Sequence, residues 1–400
     1  MKGNIVILGT LDTKGEEFLF LKENITQRGF NTTVVDLGIL GEPAFPADIS
    51  REEVILRSGE SIDALQSGDF RGRAINAVIT GGKSIVRALY ESGHLDGVVA
   101  MGGGTGTTIG MQIMNELPIG VVKVQVTTLT DLTHFIGNAD ICVIRSMVDL
   151  VGLNSVTRTI IQEAAGAVTG MASSKPVINR TGKCVAITCL GVTTPAVMKI
   201  RERLLSRNKE VLVLHRRTDA VSMLMKEDLL ECMIDITPSE MQKGFLYPEG
   251  APNMNRLMDV RNADIPLIMA PGALDMLLCP MPPENLDASL KDREMVIHSP
   301  NMTLLATTMN EYIRQAHYCA DILNSAKGPT MMLIPIKGFS VWSAPGKPFS
   351  NPKAIKAFAD TFNDSVSPRV GTVLVEANLN DDTFADAIML AYDRLVERRM

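Results

Sequence analysis

Short apolar runs alternate with amphipathic stretches at the start of the chain. Residues 5–8 are all Ile, Val or Leu, and a continuous apolar run of this kind is typical of a strand buried on both faces. Residues 18–25 carry apolar side chains at helical spacing, Gly29 ends that helix, and residues 32–37 form the next apolar run. This succession predicts a β-α-β unit with parallel strands.

The same alternation continues to the end of the chain. Further strands are predicted at 97–101, 119–126, 141–144, 183–188, 210–214, 230–234, 265–268, 331–336 and 372–376, and helices at 153–171, 196–205 and 383–399. Around residues 173–182 the composition changes to Ser, Lys, Pro, Asn and Gly, which is typical of a linker. After it, the strand-turn-helix-strand order of the opening returns.

We therefore predict an α/β protein of two doubly wound, mostly parallel-sheet, Rossmann-like domains, residues 1–176 and 182–400. The helix near the C-terminus is expected to pack on either domain. The length of 400 residues agrees with this division, because domains commonly span about 100–200 residues.

Composition and charge exclude several classes of partner. Hydrophobic residues make up 46% of the chain and aromatic residues 4%, and 39 Lys and Arg face 45 Asp and Glu. A net charge of −6 with few aromatic side chains argues against binding nucleic acid or a membrane surface. The six cysteines include no Cys-x-x-Cys pair, so we expect buried reduced thiols and no metal site. The apolar run at 5–8 is too short for a signal peptide, which predicts a cytoplasmic protein.

A glycine-rich segment follows the predicted strand at 97–101. Glycines at the end of a buried strand allow the backbone to approach a ligand closely, and a helix that starts nearby directs its free amides to the same place. The spacing matches no named nucleotide-binding fingerprint, and a tight packing turn is the alternative. The residues predicted to bind an anion here are Gly102, Gly103, Gly104, Thr105, Gly106 and Thr107.

The first strand-to-helix turn offers complementary chemistry. It begins at Gly9 and Thr10. The hydroxyls of Thr10 and Thr13 are hydrogen-bond donors, and Lys14 supplies a positive charge. Asp12 is expected either to cap the helix or to hold a magnesium-bound water. Since open α/β sheets bind ligands at the carboxyl ends of their strands, this turn is a candidate cofactor site, with plain capping as the alternative.

Three more polar residues stand at predicted strand ends. Asp36 ends the second strand, where an acidic residue often binds ribose. Thr127 and Thr128 follow the strand at 119–126 and are expected to line the same crevice.

One apparent phosphate-binding motif is rejected. Gly81 and Gly82 precede Lys83 and Ser84, but the first glycine of a P-loop would have to stand where Ala77 does. Apolar side chains at helical spacing run through the segment, whereas a P-loop follows a strand. We predict an ordinary helix.

Acid–base chemistry has only scattered candidates. They are His215 at a strand end, Glu240, His298 before Ser299-Pro300-Asn301, and Lys337. No nucleophile–base pattern or carboxylate pair accompanies them.

Several of these segments together resemble one family. Residues 9–16, 102–107, 117–120, 149–154, 191–195, 271–275 and 380–385 are similar to the uncharacterised proteins named for the ATP-binding domain of a plant tobamovirus-resistance protein. The resemblance covers nearly the whole chain. It implies two Rossmann-like domains, ATP binding with Mg²⁺, and a homodimer.

The second domain departs from the family pattern. No glycine follows His215 where the family has a glycine-rich segment, Ser299 interrupts a His-Asn-Pro-Asn motif, and Ala306 and Asn378 replace an arginine and a histidine. We therefore expect the nucleotide in the first domain.

Three functions remain open at this point. The preferred hypothesis is a nucleotide-binding protein. The alternatives are an enzyme acting on a small phosphorylated or carboxylated metabolite in an interdomain cleft, and an interaction protein whose ligand stabilises the partner-binding shape.

Overall fold

The structure is a computed structural model of the chain. It describes residues 2–62, 65, 71–130, 132, 140–174, 182–215, 220–242 and 255–396. Contacts divide the chain into two compact units, Met1–Asn179 and Arg180–Met400, called here the first and second domains. Most of the predicted linker lies outside the described residues.

The first domain is built around a five-stranded parallel sheet. Its strands are β1 (Asn4–Gly9), β2 (Asn31–Asp36), β3 (Gly97–Gly102), β4 (Val122–Thr127) and β5 (Cys142–Arg145). Their order in the sheet is β2-β1-β3-β4-β5. The helices are α1 (Leu11–Gln27), α2 (Arg51–Leu56), α3 (Arg71–Glu91), α4 (Gly104–Met114) and α5 (Ser155–Ser174).

Both faces of this sheet are covered, as the continuous apolar strands predict. Ile5 and Ile7 pack with α1 and α5 on one face. Val6 and Leu8, which alternate with them along β1, pack with α2, α3 and α4 on the other face.

The second domain repeats this architecture. Its strands are β6 (Cys184–Cys189), β7 (Val211–His215), β8 (Leu230–Asp235), β9 (Leu267–Met269), β13 (Thr330–Pro335) and β14 (Gly371–Val375), in the order β14-β13-β9-β8-β6-β7 and all parallel. The helices are α6 (Thr194–Leu205), α7 (Ala220–Lys226), α8 (Asn255–Asn262), α9 (Met309–Ser325), α10 (Pro352–Ser365) and α11 (Asp382–Leu395). The prediction of two Rossmann-like α/β domains is confirmed.

A small antiparallel sheet interrupts the second domain. Strands β10 (Met276–Cys279), β11 (Met295–Ser299) and β12 (Met302–Ala306) lie in the order β10-β12-β11. This sheet is not predicted from the sequence. Its strands are only four or five residues long, and runs of that length carry little periodicity.

The remaining general expectations concern thiols and membranes. All six cysteines are free thiols, and four of them are buried. Burial raises the pKa of the Cys279 thiol to about 11, and Cys279 packs in a hydrophobic cluster of the second domain. In the part of the chain that the structure describes, no helix is both long and apolar enough to cross a bilayer.

Candidate functional site

A cavity of about 1050 Å³ opens at the carboxyl edge of the first sheet. Strands β2 and β3 lie on opposite sides of β1, so the strand order reverses between β1 and β3. In doubly wound sheets, ligands bind at this switch point. Side chains or backbone from residues 10–14, 37–42 and 102–106 form most of its wall. The turn after β1 and the glycine-rich segment after β3 thus meet in one place, as expected from the sequence, and the loop after β2 joins them.

The glycine-rich segment is the start of helix α4. Gly103 is the N-cap residue, and no side chain caps the helix. The first amides of a helix have no acceptor within it and carry the positive end of its dipole. A methyl group on Gly103 would meet only the Thr128 hydroxyl, at 3.6 Å, and one on Gly104 only Leu129, at 3.9 Å. The backbone at Gly103 and Gly104 is therefore open to an approaching ligand.

Thr107 and Thr127 lie in the core instead of the cavity wall. Both are 0% exposed, and their hydroxyl oxygens are 2.7 Å apart. The Thr127 hydroxyl also accepts from the Leu129 amide at 3.1 Å. Thr128 donates its amide to the Gly102 carbonyl at 3.3 Å. These hydrogen bonds connect the segment after β3 to the segment after β4.

The opening turn supplies hydroxyls and a cation. Thr10, Thr13 and Lys14 line the cavity, and the Thr13 hydroxyl bonds that of Thr10 at 3.1 Å. Lys14 leaves helical geometry, with φ −135° and ψ 34°, which kinks α1 after its first turn. Its ammonium donates to the Leu150 carbonyl. Gly9 lies outside the wall, because its Cα packs against the Phe18 ring.

Asp12 anchors the loop after β2. Its Oδ2 accepts from the amides of Ile39 at 3.0 Å, Leu40 at 2.8 Å and Gly41 at 3.3 Å. Its Oδ1 is buried and has no partner among the described residues. One carboxylate oxygen of Asp12 therefore holds the loop after β2.

Asp36 is a scaffold for Arg51. Its Oδ1 accepts from the amides of Leu11 at 3.2 Å and Gly38 at 2.9 Å, and its Oδ2 pairs with the Arg51 guanidinium at 3.1 Å. Burial raises the pKa of Asp36, and these amides and Arg51 oppose that rise. Since Asp36 is only 2% exposed and absent from the cavity wall, the predicted ribose contact has no access to its carboxylate.

One side of the cavity is apolar. Leu37, Leu65, Ala74 and Ile109 line it and belong to the hydrophobic cluster on the α3 and α4 face of the sheet. Ile75 packs against the same cluster. The cavity thus combines an apolar wall with polar groups around α4 and the opening turn. This wall is not predicted from the sequence, because its residues come from separate segments at positions 37, 65, 74–75 and 109.

At the corresponding switch point of the second domain, the loops that the structure describes are buried and bonded to each other. Thr188, Thr193, Asp235 and Thr237 are all 0% exposed there. The Thr193 and Thr237 hydroxyls are 2.9 Å apart, and Thr188 donates to Asp235 at 2.8 Å. A methyl group on Gly272 would lie 2.0 Å from the Ile236 carbonyl oxygen. The loops of this crevice are closed on each other.

The four acid–base candidates lie on separate elements. His215 ends the edge strand β7 and Lys337 follows β13. Four inter-strand spacings separate these strands, which is roughly 19 Å. His298 is exposed on β11 of the antiparallel sheet, and Glu240 is 8% exposed in a single helical turn after β8. The segment 216–219 after His215 lies outside the described residues.

Comparison with known proteins places both domains in one family. Residues 3–176 match the model described as "Uncharacterised protein family (UPF0261) N-terminal domain", and residues 182–396 match the C-terminal domain of the same family. The chain belongs to the UPF0261 family. Because both halves match, the expectation of one uncharacterised family that spans both domains is confirmed.

UPF0261 relatives span the whole length of the chain. A "UPF0261 protein" of Clostridium tetani is 34% identical over 100% of both chains. "UPF0261 protein RA0729" of Rhizobium meliloti is 34% identical over 97% of this chain and 98% of its own. The "ToMV susceptible protein tm-1(GCR26)" of Solanum lycopersicum is 27% identical over 96% of this chain and 55% of its own length.

Proposed function

We propose that the first domain binds a nucleotide, and that ATP with Mg²⁺ is the ligand that suits its cavity. The observation that carries this proposal is the uncapped, glycine-rich start of α4 inside a cavity that also has an apolar wall. The free amides at Gly103 and Gly104, with Lys14 and the Thr10 and Thr13 hydroxyls, suit phosphates. The wall at Leu65, Ala74, Ile75 and Ile109 suits a flat base.

The size of the cavity favours a nucleotide over a smaller metabolite. Small-molecule sites usually measure about 300–1,000 Å³, and this cavity measures about 1050 Å³. A small phosphorylated or carboxylated metabolite would satisfy the amides of α4 and leave the apolar wall in contact with water. A nucleotide covers both parts.

Magnesium fits the acidic groups present. No group of three or more His, Cys, Asp or Glu forms a metal cage in the described residues. Mg²⁺ is commonly held by one or two carboxylates together with substrate phosphates. Asp12, through its unpartnered Oδ1, and the exposed Asp149 both line the cavity. These two residues would hold the ion beside the phosphates.

The test is calorimetric titration of the full-length protein with ATP and MgCl₂. Gly103→Glu places a carboxylate in the phosphate site; the backbone φ of −77° and the open space around its Cα allow the substitution. We expect this variant to lose tenfold or more in affinity, because the added charge repels phosphate. Gly166→Glu is the matched control: it adds the same charge on α5, where nothing lies within 4 Å.

Two results would count against the proposal. The first is a wild-type protein that shows neither binding heat nor thermal stabilisation at millimolar ATP and MgCl₂. The second is a Gly103→Glu variant that binds ATP as tightly as the Gly166→Glu control. This result would show that the phosphates do not bind at the start of α4.

A further inference from the structure

Arg51 is a buried cation in the wall of the nucleotide cavity. It is 6% exposed and stands at the first position of α2. Its Nε donates to Asp36 at 3.1 Å, and its Nη1 donates to the Gly41 carbonyl. Its Nη2 is buried and has no hydrogen-bond partner among the described residues. Two of the three guanidinium nitrogens are therefore committed to the protein, and the third is not.

An unpartnered donor on a buried cation is costly. A charged group that leaves water loses its hydration, and only hydrogen bonds in the interior offset that loss. The Asp36 carboxylate balances the charge of Arg51 but leaves Nη2 without an acceptor. Since Arg51 lines the cavity, an oxyanion in the cavity is the group that would complete its hydrogen bonding.

The backbone around Arg51 is fixed before any ligand arrives. The amides of Asp48 and Ile49 both donate to the Val34 carbonyl on β2 at 3.0 Å, and the Asp36 amide donates to the Ile49 carbonyl at 3.0 Å. Ser50 then caps α2 by accepting from the Glu53 amide at 3.4 Å. The backbone just before Arg51 is thus bonded to β2, and the Arg51 side chain is paired with Asp36 at the end of the same strand. A preorganised donor of this kind binds with less loss of entropy.

We propose that Arg51 Nη2 donates to a phosphate oxygen of the ligand and makes the site selective for nucleotides over nucleosides. This inference rests on the proposed function, because it assigns a second anion contact within the same cavity. Asp36 is a positioning residue in this arrangement. Lysine would not replace Arg51, since a single ammonium paired with Asp36 has no second, rigidly placed nitrogen to offer.

The test compares Arg51→Lys with wild type by calorimetric titration with ATP and with adenosine, each with MgCl₂, and with inorganic pyrophosphate. We expect ATP and pyrophosphate to bind tenfold or more weakly to the variant and adenosine to bind within twofold of wild type. Arg57→Lys is the matched control, because Arg57 is also on the α2 segment but is exposed and pairs with Glu53. Its affinities should not change.

Failure of this inference is distinguishable from failure of the proposed function. A folded Arg51→Lys variant with wild-type ATP affinity overturns the role of Arg51 and leaves nucleotide binding intact. If the wild-type protein binds pyrophosphate but not ATP, and Arg51→Lys loses that binding, the role of Arg51 as an anion contact is supported and nucleotide binding is overturned. No binding of any probe overturns both. If circular dichroism shows that Arg51→Lys is unfolded, the double variant Asp36→Asn/Arg51→Gln, which removes both charges together, is titrated and interpreted in the same way.

Discussion

Asp275 is a carboxyl group in the core of the second domain. It is 1% exposed, its Oδ2 accepts from the Ser340 hydroxyl at 2.5 Å, and its Oδ1 has no partner among the described residues. Burial raises the pKa of Asp275, and the hydrogen bonds from Ser340 and Ser343 oppose the rise only in part. Burial also raises the pKa of Tyr312, and the charge of Asp275 raises it further. The folded state therefore favours protonated Asp275.

This shift predicts a pH dependence of stability with a definite sign. Because the pKa of Asp275 is higher in the folded state than in the unfolded chain, the folded state binds the proton more tightly. The free energy of unfolding then falls as pH rises from the ordinary Asp range through the folded pKa, by about 1.4 kcal/mol for each unit between the two pKa values. Asp275→Asn keeps an acceptor for Ser340 and removes the ionisation.

We expect Asp275→Asn to melt at a higher temperature than wild type at pH 7–8, with the difference shrinking toward pH 4. The measurement is the thermal midpoint across that range. Asp287→Asn is the control: hydrogen bonds from Ser289 lower the pKa of Asp287, so its stabilising contribution is present at neutral pH and is lost as pH falls. An Asp275→Asn variant that is less stable than wild type at pH 8 would contradict this prediction.

The candidate site could be predicted from sequence only in part. Gly103 and Lys14 meet in one cavity because the carboxyl ends of neighbouring parallel strands share one edge of the sheet. Arg51 could not be predicted in this way, because its role depends on Asp36, fifteen residues away, and on a loop folded around both. Thr127 ends β4 and Thr107 lies in the first turn of α4, but their hydroxyls bond each other, and sequence spacing does not show that.

Helix α3 contains Gly81 and Gly82, the two glycines of the apparent P-loop motif. A methyl group on Gly81 would lie 1.7 Å from the Val54 carbonyl oxygen, and one on Gly82 would lie 2.3 Å from Ile113. Helix α3 thus packs closely against α2 and α4 at these two positions. The glycines serve helix packing, which agrees with the rejection of the P-loop.

We expect Gly81→Ala to lower the thermal midpoint of the first domain by several degrees. Overpacking a close contact costs about 1–3 kcal/mol, and a domain of this size loses about 2–4 °C per kcal/mol. Lys83→Ala, on the same helix, should change neither the midpoint nor ATP affinity. A Lys83→Ala variant with weakened ATP binding would indicate a P-loop at residues 81–84 and contradict the assignment of Gly81 and Gly82 to helix packing.

Most strands of the two parallel sheets are predicted correctly, and the three strands of the small antiparallel sheet are not. Helix α3 and the buried strands β3 and β4 have apolar patterns long enough to define their type. The antiparallel sheet of β10, β11 and β12 instead depends on pairing between residues that lie up to 30 positions apart in sequence. Such pairing is a tertiary property, and a run of four residues does not encode it.

At the scale of the whole molecule, two domains share one topology and differ at the ligand edge. In both sheets the second strand lies outside the first and the third lies inside it. In the first domain the loops at the switch point separate around a cavity, whereas in the second Thr193 and Thr237 close the crevice. The altered motifs of the second domain agree with this difference. Fold similarity alone therefore does not give both domains the same ligand.

This difference predicts where ATP protects the backbone. Hydrogen–deuterium exchange of the full-length protein with saturating ATP and MgCl₂ should slow in residues 10–14, 37–42 and 102–106, because binding stabilises these loops. The equivalent loops of the second domain, residues 190–194 and 236–239, should exchange at unchanged rates, since they already bond each other without a ligand. Protection in the second set, or in neither set, would show that the open cavity of the first domain is not the nucleotide site.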